Sequence, residues 1–227
     1  MFEGRSPAGR TRSVFGGQFL AQALVAAGRT VAPDRRPHSL HAYFLRGGDP
    51  MLPIRYEVDQ TREGRGFSHR EVRASQQGRE TFRMMTSFQV AQPGPEYNEP
   101  VEMNEVDPET LPDYNGWGLA GTDNANHDVY TVPSPVELRH EGLEEPHFGQ
   151  VVQGPQRIWA RISGQVPGED PLLHAALLAW LSDKTAADFA PLAHGHRWTD
   201  RGTDSLSLDH AMWFLRPVRA DRWLLYR

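Results

Sequence analysis

The sequence predicts an α+β fold of two tandem units, each a central helix wrapped by an antiparallel sheet. Three observations carry that prediction. First, the chain repeats itself. A helix-like stretch, Phe15 to Val31, is followed by His38-Ser39-Leu40-His41-Ala42-Tyr43-Phe44-Leu45-Arg46 and an apolar run reaching Tyr56. A second, Pro171 to Asp188, is followed by Ser207-Leu208-Asp209-His210-Ala211-Met212-Trp213-Phe214-Leu215-Arg216 and a run reaching Tyr226. In both copies Phe-Leu-Arg is followed by a tyrosine twelve residues after the Phe, and self-similarity of this kind usually decides an architecture. Second, both helical stretches are small or apolar around nearly their whole circumference, as buried helices are. Third, the first helix is followed by a meander of strand-like segments.

The elements follow in order. Residues 14–31 form a helix that begins at the glycine pair of Val14-Phe15-Gly16-Gly17-Gln18. Strands are predicted at about 38–46, 53–60, 67–75 and 80–91, the last two joined by a polar turn at Gln76-Gln77-Gly78. These make the first unit, 1–92. Residues 93–134 hold scattered prolines and acids with no apolar period, and read as an acidic, Pro-rich linker whose carboxylates are solvated. The second unit, 135–227, opens with strands near 136–139 and 157–164. In Gly168-Glu169-Asp170-Pro171 an N-cap Asp precedes a Pro at the first helical position. The helix it starts is followed by strands near 205–215 and 222–227. After Tyr56 the first unit supplies two more strands, whereas the chain stops at Arg227, so the second unit is expected to be incomplete.

Composition excludes several classes. The chain has 227 residues, 38% hydrophobic and 23% charged, the profile of an ordinary globular protein. Twenty-four Lys and Arg against 29 Asp and Glu leave a net charge of −5, which gives no reason to expect nucleic acid or an anionic membrane. The absence of cysteine rules out disulfides, thiolate nucleophiles and Cys-based zinc sites. No apolar run approaches the roughly 20 residues of a membrane span. The N-terminus lacks a signal-peptide core, so a cytoplasmic location is expected.

Among residues able to do chemistry, Asp183 stands out. It lies about three turns into a helix whose other faces are apolar, and a buried carboxylate is costly unless it is paired. Burial and a helix C-terminus both raise a carboxyl pKa toward the range of a general base. The first helix contains no Asp or Glu between Val14 and Val31, so one working site per chain is expected. On the strand that follows, Ser207 and Asp209 alternate onto one face, and Leu206, Leu208, His210 and Met212 onto the other. Either face can look at the helix, which leaves Ser207 and His210 both open. His38 and His41, three apart on a strand, are expected to point to opposite faces and not to form a metal pair. His194-Gly195-His196 lacks a third ligand at any standard spacing. Gly16 and Gly17 leave amide N–H groups at a helix start open to a ligand carbonyl or oxyanion.

Taken together, Phe15-Gly16-Gly17-Gln18, the segment His38 to Asp49, Ser182-Asp183 and Leu208-Asp209-His210-Ala211-Met212-Trp213-Phe214 resemble the type II acyl-CoA thioesterases, the TesB-like and peroxisomal group. The resemblance runs from about Val14 to the last residue, broken across the linker. It implies a double hotdog, and hydrolysis of acyl-CoA to free fatty acid and CoA with no metal or other cofactor, within fatty acid metabolism. It implies a water held by an Asp, matched by Asp183, by a Thr or Ser, matched by Ser207, and by a Gln on a strand past residue 227. It implies substrate contacts at Gly16, Gly17 and Gln18, and a homo-oligomer with acyl-CoA as its ligand. Family members carry a helix and strand ahead of the Phe-Gly-Gly-Gln segment, where this chain has about a dozen residues. The chain is therefore expected to be truncated at both ends, with sheet edges left unpaired. A non-catalytic acyl-CoA-binding or scaffold protein is the alternative, and a hydratase using Asp209-His210 a third reading.

Overall fold

The structure is a computed structural model that describes residues 1–7, 13–97, 106–113, 135–142, 151–154, 156–166, 170–185, 189–196 and 206–227. In the first unit, β1 (Phe2–Gly4) precedes α1 (Gly16–Gly28). Four strands follow: β2 (Arg35–Phe44), β3 (Ile54–Glu63), β4 (Phe67–Gln76) and β5 (Arg79–Val90). In the second, β6 (Val136–His140) and β7 (Ile158–Ile162) precede α2 (Pro171–Thr185), a short α3 (Phe189–Leu192), β8 (Asp209–Trp213) and β9 (Leu224–Tyr226). All strand pairs are antiparallel, in one sheet of order β1-β3-β4-β5-β2-β8 and a second of order β6-β7-β9.

Local sequence explains the joints. Only Gln77 and Gly78 lie between β4 and β5, and both take positive φ, 49° and 76°. A two-residue turn with both central residues left-handed suits the twist of a hairpin. The helix start predicted at Asp170 forms as expected, its carboxylate accepting from the Leu172 amide at 2.9 Å. Of the strand predicted at 205–215, residue 205 lies outside the described residues, and the strand itself spans Asp209–Trp213, with Leu208 and Phe214 each adding one backbone bond to β2.

The two helices pack against each other in antiparallel fashion. A Cβ at Gly17 would lie 2.6 Å from the Trp180 carbonyl oxygen, and one at Gly28 would lie 2.5 Å from the Leu172 methyls. The start of each helix therefore meets the end of the other through a glycine. Ala175, Ala176 and Ala179 of α2 join the core formed by α1 and the large sheet, with Phe19, Leu20, Phe82 and Met84. Leu181 of the same helix joins the second core, with Val136, Leu138 and Ile158. A helix packed between two cores has no apolar stripe to show, which is why α2 reads as apolar all round.

The repeat is structural. Phe44 and Phe214 are 170 positions apart, as are Tyr56 and Tyr226. In the β2–β8 ladder His41 pairs with Ala211, again 170 positions apart, and Tyr43 with Asp209 and Ser39 with Trp213 flank them symmetrically. The two copies thus meet across a local two-fold at their own midpoint. Behind them, Phe2 pairs with Tyr56 on β1–β3 as Ile158 pairs with Tyr226 on β7–β9. The dozen residues ahead of Phe15-Gly16-Gly17-Gln18 therefore already hold a strand that the sequence reading missed. Two helix-and-sheet units joined edge to edge through β2 and β8 are a double hotdog.

Candidate active site

The last turn of α2 brings Asp183 against the first turn of α1. Its side chain is 4% exposed, so the helix does not emerge into solvent there. The Ser207 hydroxyl donates to Asp183 Oδ1 at 2.9 Å. On the other side, a Cβ built at Gly16 would sit 2.6 Å from Asp183 Oδ2 and 3.0 Å from the Phe44 ring. No other residue leaves room for the carboxylate at that point. The first turn of α1 carries neither an acidic residue nor a side-chain cap on Phe15, so its partially positive end faces the Asp183 carboxylate uncovered. A reading of α2 by itself misses this partner, because it sees only the unfavourable C-terminus of its own helix.

The strand-face question has a different answer from either expected one. Ser207 and Leu208 precede β8, so alternation from Asp209 onward does not extend back to them. Leu206 and Leu208 are exposed, while His210 and Met212 turn inward. Both open candidates reach the acid: Ser207 by its hydroxyl, and His210 with Nδ1 3.9 Å from Asp183 Oδ1. His210 Nε2 also lies 3.0 Å from Ser182 Oγ. Burial pushes the His210 pKa below its ordinary value, against the smaller upward pulls of Asp183 and then Asp209. Asp209 is exposed on the opposite face, so it does not pair with His210 for a hydratase.

The other predicted residues divide. Gly17 is buried, and its missing side chain is what lets α1 reach the Trp180 carbonyl. The Gln18 amide already donates to the Phe15 carbonyl at 3.0 Å, so it is not an open donor at the helix start. The opposite-face expectation for His38 and His41 fails. A bulge between Pro37 and Ser39 shifts the register. It turns His38 to the outer face, where it reaches Ser87 Oγ at 2.7 Å and the Phe67 ring, while His41 packs edge-on against Trp213. Among the described residues no cluster of three or more His, Asp or Glu is arranged to hold a metal.

The local two-fold shows what the same place in the first unit contains. Measured from the helix starts at Gly16 and Pro171, Asp183 corresponds to Gly28. Across the strand repeat, Ser207 corresponds to Pro37 and His210 to Leu40. Leu172 methyls occupy the space in front of Gly28. One of the two related positions is polar and the other is filled with hydrocarbon.

Known proteins of one family resemble this chain over most of its length. The family model described as acyl-CoA thioesterase N-terminal domain matches residues 5–89, and that described as acyl-CoA thioesterase matches 126–227. The chain is 36% identical to human acyl-coenzyme A thioesterase 8 over 240 residues, covering all of this chain and 73% of the relative. It is 34% identical to acyl-CoA thioesterase 2 of Haemophilus influenzae, covering all of this chain and 79% of that protein. Among solved structures, the Mycobacterium marinum acyl-CoA thioesterase II TesB2 superposes with a TM-score of 0.71 at 37% identity, over 93% of this chain and 75% of that one. The tesB protein of Mycobacterium avium subsp. paratuberculosis gives 0.73 at 32% identity, over 99% and 77%. Fold and relatives together define a double-hotdog thioester hydrolase class. Within it, the chain belongs to the type II acyl-CoA thioesterase family.

Proposed function

We propose that this chain hydrolyses acyl-CoA thioesters to free fatty acid and CoA with a water activated by Asp183. The observation that carries the reading is the placement of a buried carboxylate, bonded by Ser207, against the N-terminus of α1. Water is a weak nucleophile, and a fixed carboxylate beside it accepts its proton as attack proceeds. The Ser207 hydroxyl donates its proton to Asp183, which holds the acid in one rotamer beside the water. The amides of Gly16 and Gly17 meet the charge that develops on the thioester oxygen. The oxygen of water becomes part of the acid, the carbon–sulfur bond breaks, and the proton held by Asp183 returns to the CoA sulfur. Residues 1–92 and 135–227 serve as the two units, and only the second supplies an acid.

The test is release of free CoA from lauroyl-CoA, followed with a thiol reagent. Asp183→Asn keeps the shape of the side chain and removes the base, and is expected to lower kcat by about 10²–10⁴. Ser207→Ala, which removes one hydrogen bond to a charged group, is expected to cost about 10- to 100-fold. Equal rates for wild type and Asp183→Asn would overturn the assignment and favour a non-catalytic acyl-CoA-binding protein.

A further inference from the structure

The neighbours of the His210 ring favour one tautomer. Ser182 Oγ donates its single proton to the Ala179 carbonyl at 2.9 Å. The same oxygen lies 3.0 Å from His210 Nε2, and with the serine proton given to Ala179 the nitrogen is the donor in that contact. The opposite tautomer would place a proton on Nδ1 with Asp183 Oδ1 as its acceptor, and 3.9 Å is too long for that bond. Nδ1 therefore presents a lone pair toward a carboxylate oxygen. Two acceptors that face each other need a donor between them, and a group with two O–H bonds satisfies both.

We propose that His210 is a further catalytic residue, its Nδ1 accepting the second hydrogen of the attacking water while Asp183 accepts the first. The inference rests on the reading of Asp183 as the base. Two acceptors fix both hydrogens of the water, and so aim its lone pair out of the plane they define. The proton that leaves goes to Asp183, the other stays on the oxygen that joins the acyl carbon, and His210 changes charge at no step. Ser182 acts through His210 as a positioning residue, since its hydroxyl selects the tautomer. The charged groups near the ring are Asp183 on α2 and Asp209 beside it on β8, and from β2 its paired residue is Ala42. Protonation at Nδ1 would convert the acceptor into a donor toward Asp183 and displace the water. Burial keeps that event below the ordinary histidine range.

The experiment is steady-state hydrolysis of lauroyl-CoA from pH 5 to 8 by wild type, His210→Ala, His210→Asn, Ser182→Ala and Asp183→Asn, each checked for folding by its thermal melt. The expected result is a kcat about 10- to 100-fold lower for His210→Ala, with KM little changed. His210→Asn, which offers an amide oxygen near the place of Nδ1, is expected to recover most of that loss. The fall in kcat/KM on the acid side of the wild-type profile, below pH 6.5, should move in His210→Asn to the position set by Asp183. Should His210→Ala fail to fold, the His210→Asn profile decides by itself. An acid limb in His210→Asn at the same position as in wild type, or a wild-type kcat in His210→Ala, overturns the proposal, since only a limb moved to the position set by Asp183 itself is expected to remain. If Asp183→Asn is inactive while the His210 variants behave as wild type, only this inference fails. If Asp183→Asn stays active, the parent reading fails first.

Discussion

Gly16 and Gly17 are neighbours in sequence and in the first turn of one helix, yet the structure asks different things of them. A Cβ at Gly16 meets the Asp183 carboxylate and the Phe44 ring, both of them side chains. A Cβ at Gly17 meets the Trp180 backbone carbonyl at 2.6 Å and the Phe15 ring at 2.5 Å. A side chain can rotate, whereas a carbonyl in a helix moves only with its helix. Gly16→Ala is therefore expected to lower kcat by about 10-fold or more, because the carboxylate must leave Ser207 to make room, and small misplacements are expensive in catalysis. Its melting temperature should hardly change, since alanine is the better helix former. Gly17→Ala is expected to force α1 and α2 apart at a cost of about 1–3 kcal/mol, read as a drop of roughly 2–4 °C in Tm per kcal/mol. Paired kinetic and melting measurements separate the two. A Gly16→Ala protein that melts early and turns over normally would contradict the placement of the acid.

At the scale of elements, the end of α1 is tied to β4 by a buried arginine. Arg70 is 1% exposed. Its guanidinium donates to Thr30 Oγ1, to the Thr30, Arg62 and His69 carbonyls, and to Glu63 Oε2. A cation just past the C-terminus of a helix also suits the helix dipole. The carboxyl of Glu63 is held below its ordinary pKa, first by the Ser68 hydroxyl and then by Arg70. A carboxyl lowered in the folded state adds stability above its unfolded pKa and loses it as pH falls through the folded value. The difference in Tm between wild type and Glu63→Gln should thus be full at pH 7 and close below about pH 4. A difference independent of pH would show that the charge on Glu63 does not contribute. The described linker carboxylates stay exposed, as expected, yet Glu109 and Asp113 also pair with the second unit. Glu109 accepts from Arg161 at 2.7 Å and from the Trp223 indole at 3.1 Å, and Asp113 pairs with Arg139 at 3.1 Å. Glu109 and Asp113 thereby tie this stretch to β7 and β6. Periodicity located the long elements because ten-residue strands and a capped helix show their pattern. It missed β1, which has three residues, and the β2 bulge, because neither a short strand nor an inserted residue has a period to read.

At the scale of the whole molecule, the site exists because a duplicated unit has diverged at three positions. The sequence displayed the duplication, the lone acid on the second helix and, through family resemblance, Ser207. It could not display that Gly16 makes room for the acid, a contact between halves 167 positions apart set by helix packing, or that His210 approaches it from a strand 27 positions further on, since neither leaves a local pattern. The three divergent pairs are Asp183 and Gly28, Ser207 and Pro37, and His210 and Leu40. If the polar site needs all of its members, restoring one of them in the first unit creates cost without function. Gly28→Asp places a carboxylate where Leu172 methyls already lie 2.5 Å from the new Cβ. Pro37 and Leu40, the counterparts of Ser207 and His210 in the repeat, have no side-chain donor to offer it. Overpacking against Leu172 costs about 1–3 kcal/mol, so the variant is expected to melt below wild type and to gain no activity per chain. The sharper measurement is the double variant Asp183→Asn, Gly28→Asp, assayed by CoA release. It should be as inactive as Asp183→Asn. Recovery above that level would mean that the first unit retains a competent site, and the one-site reading of the duplication would have to be abandoned.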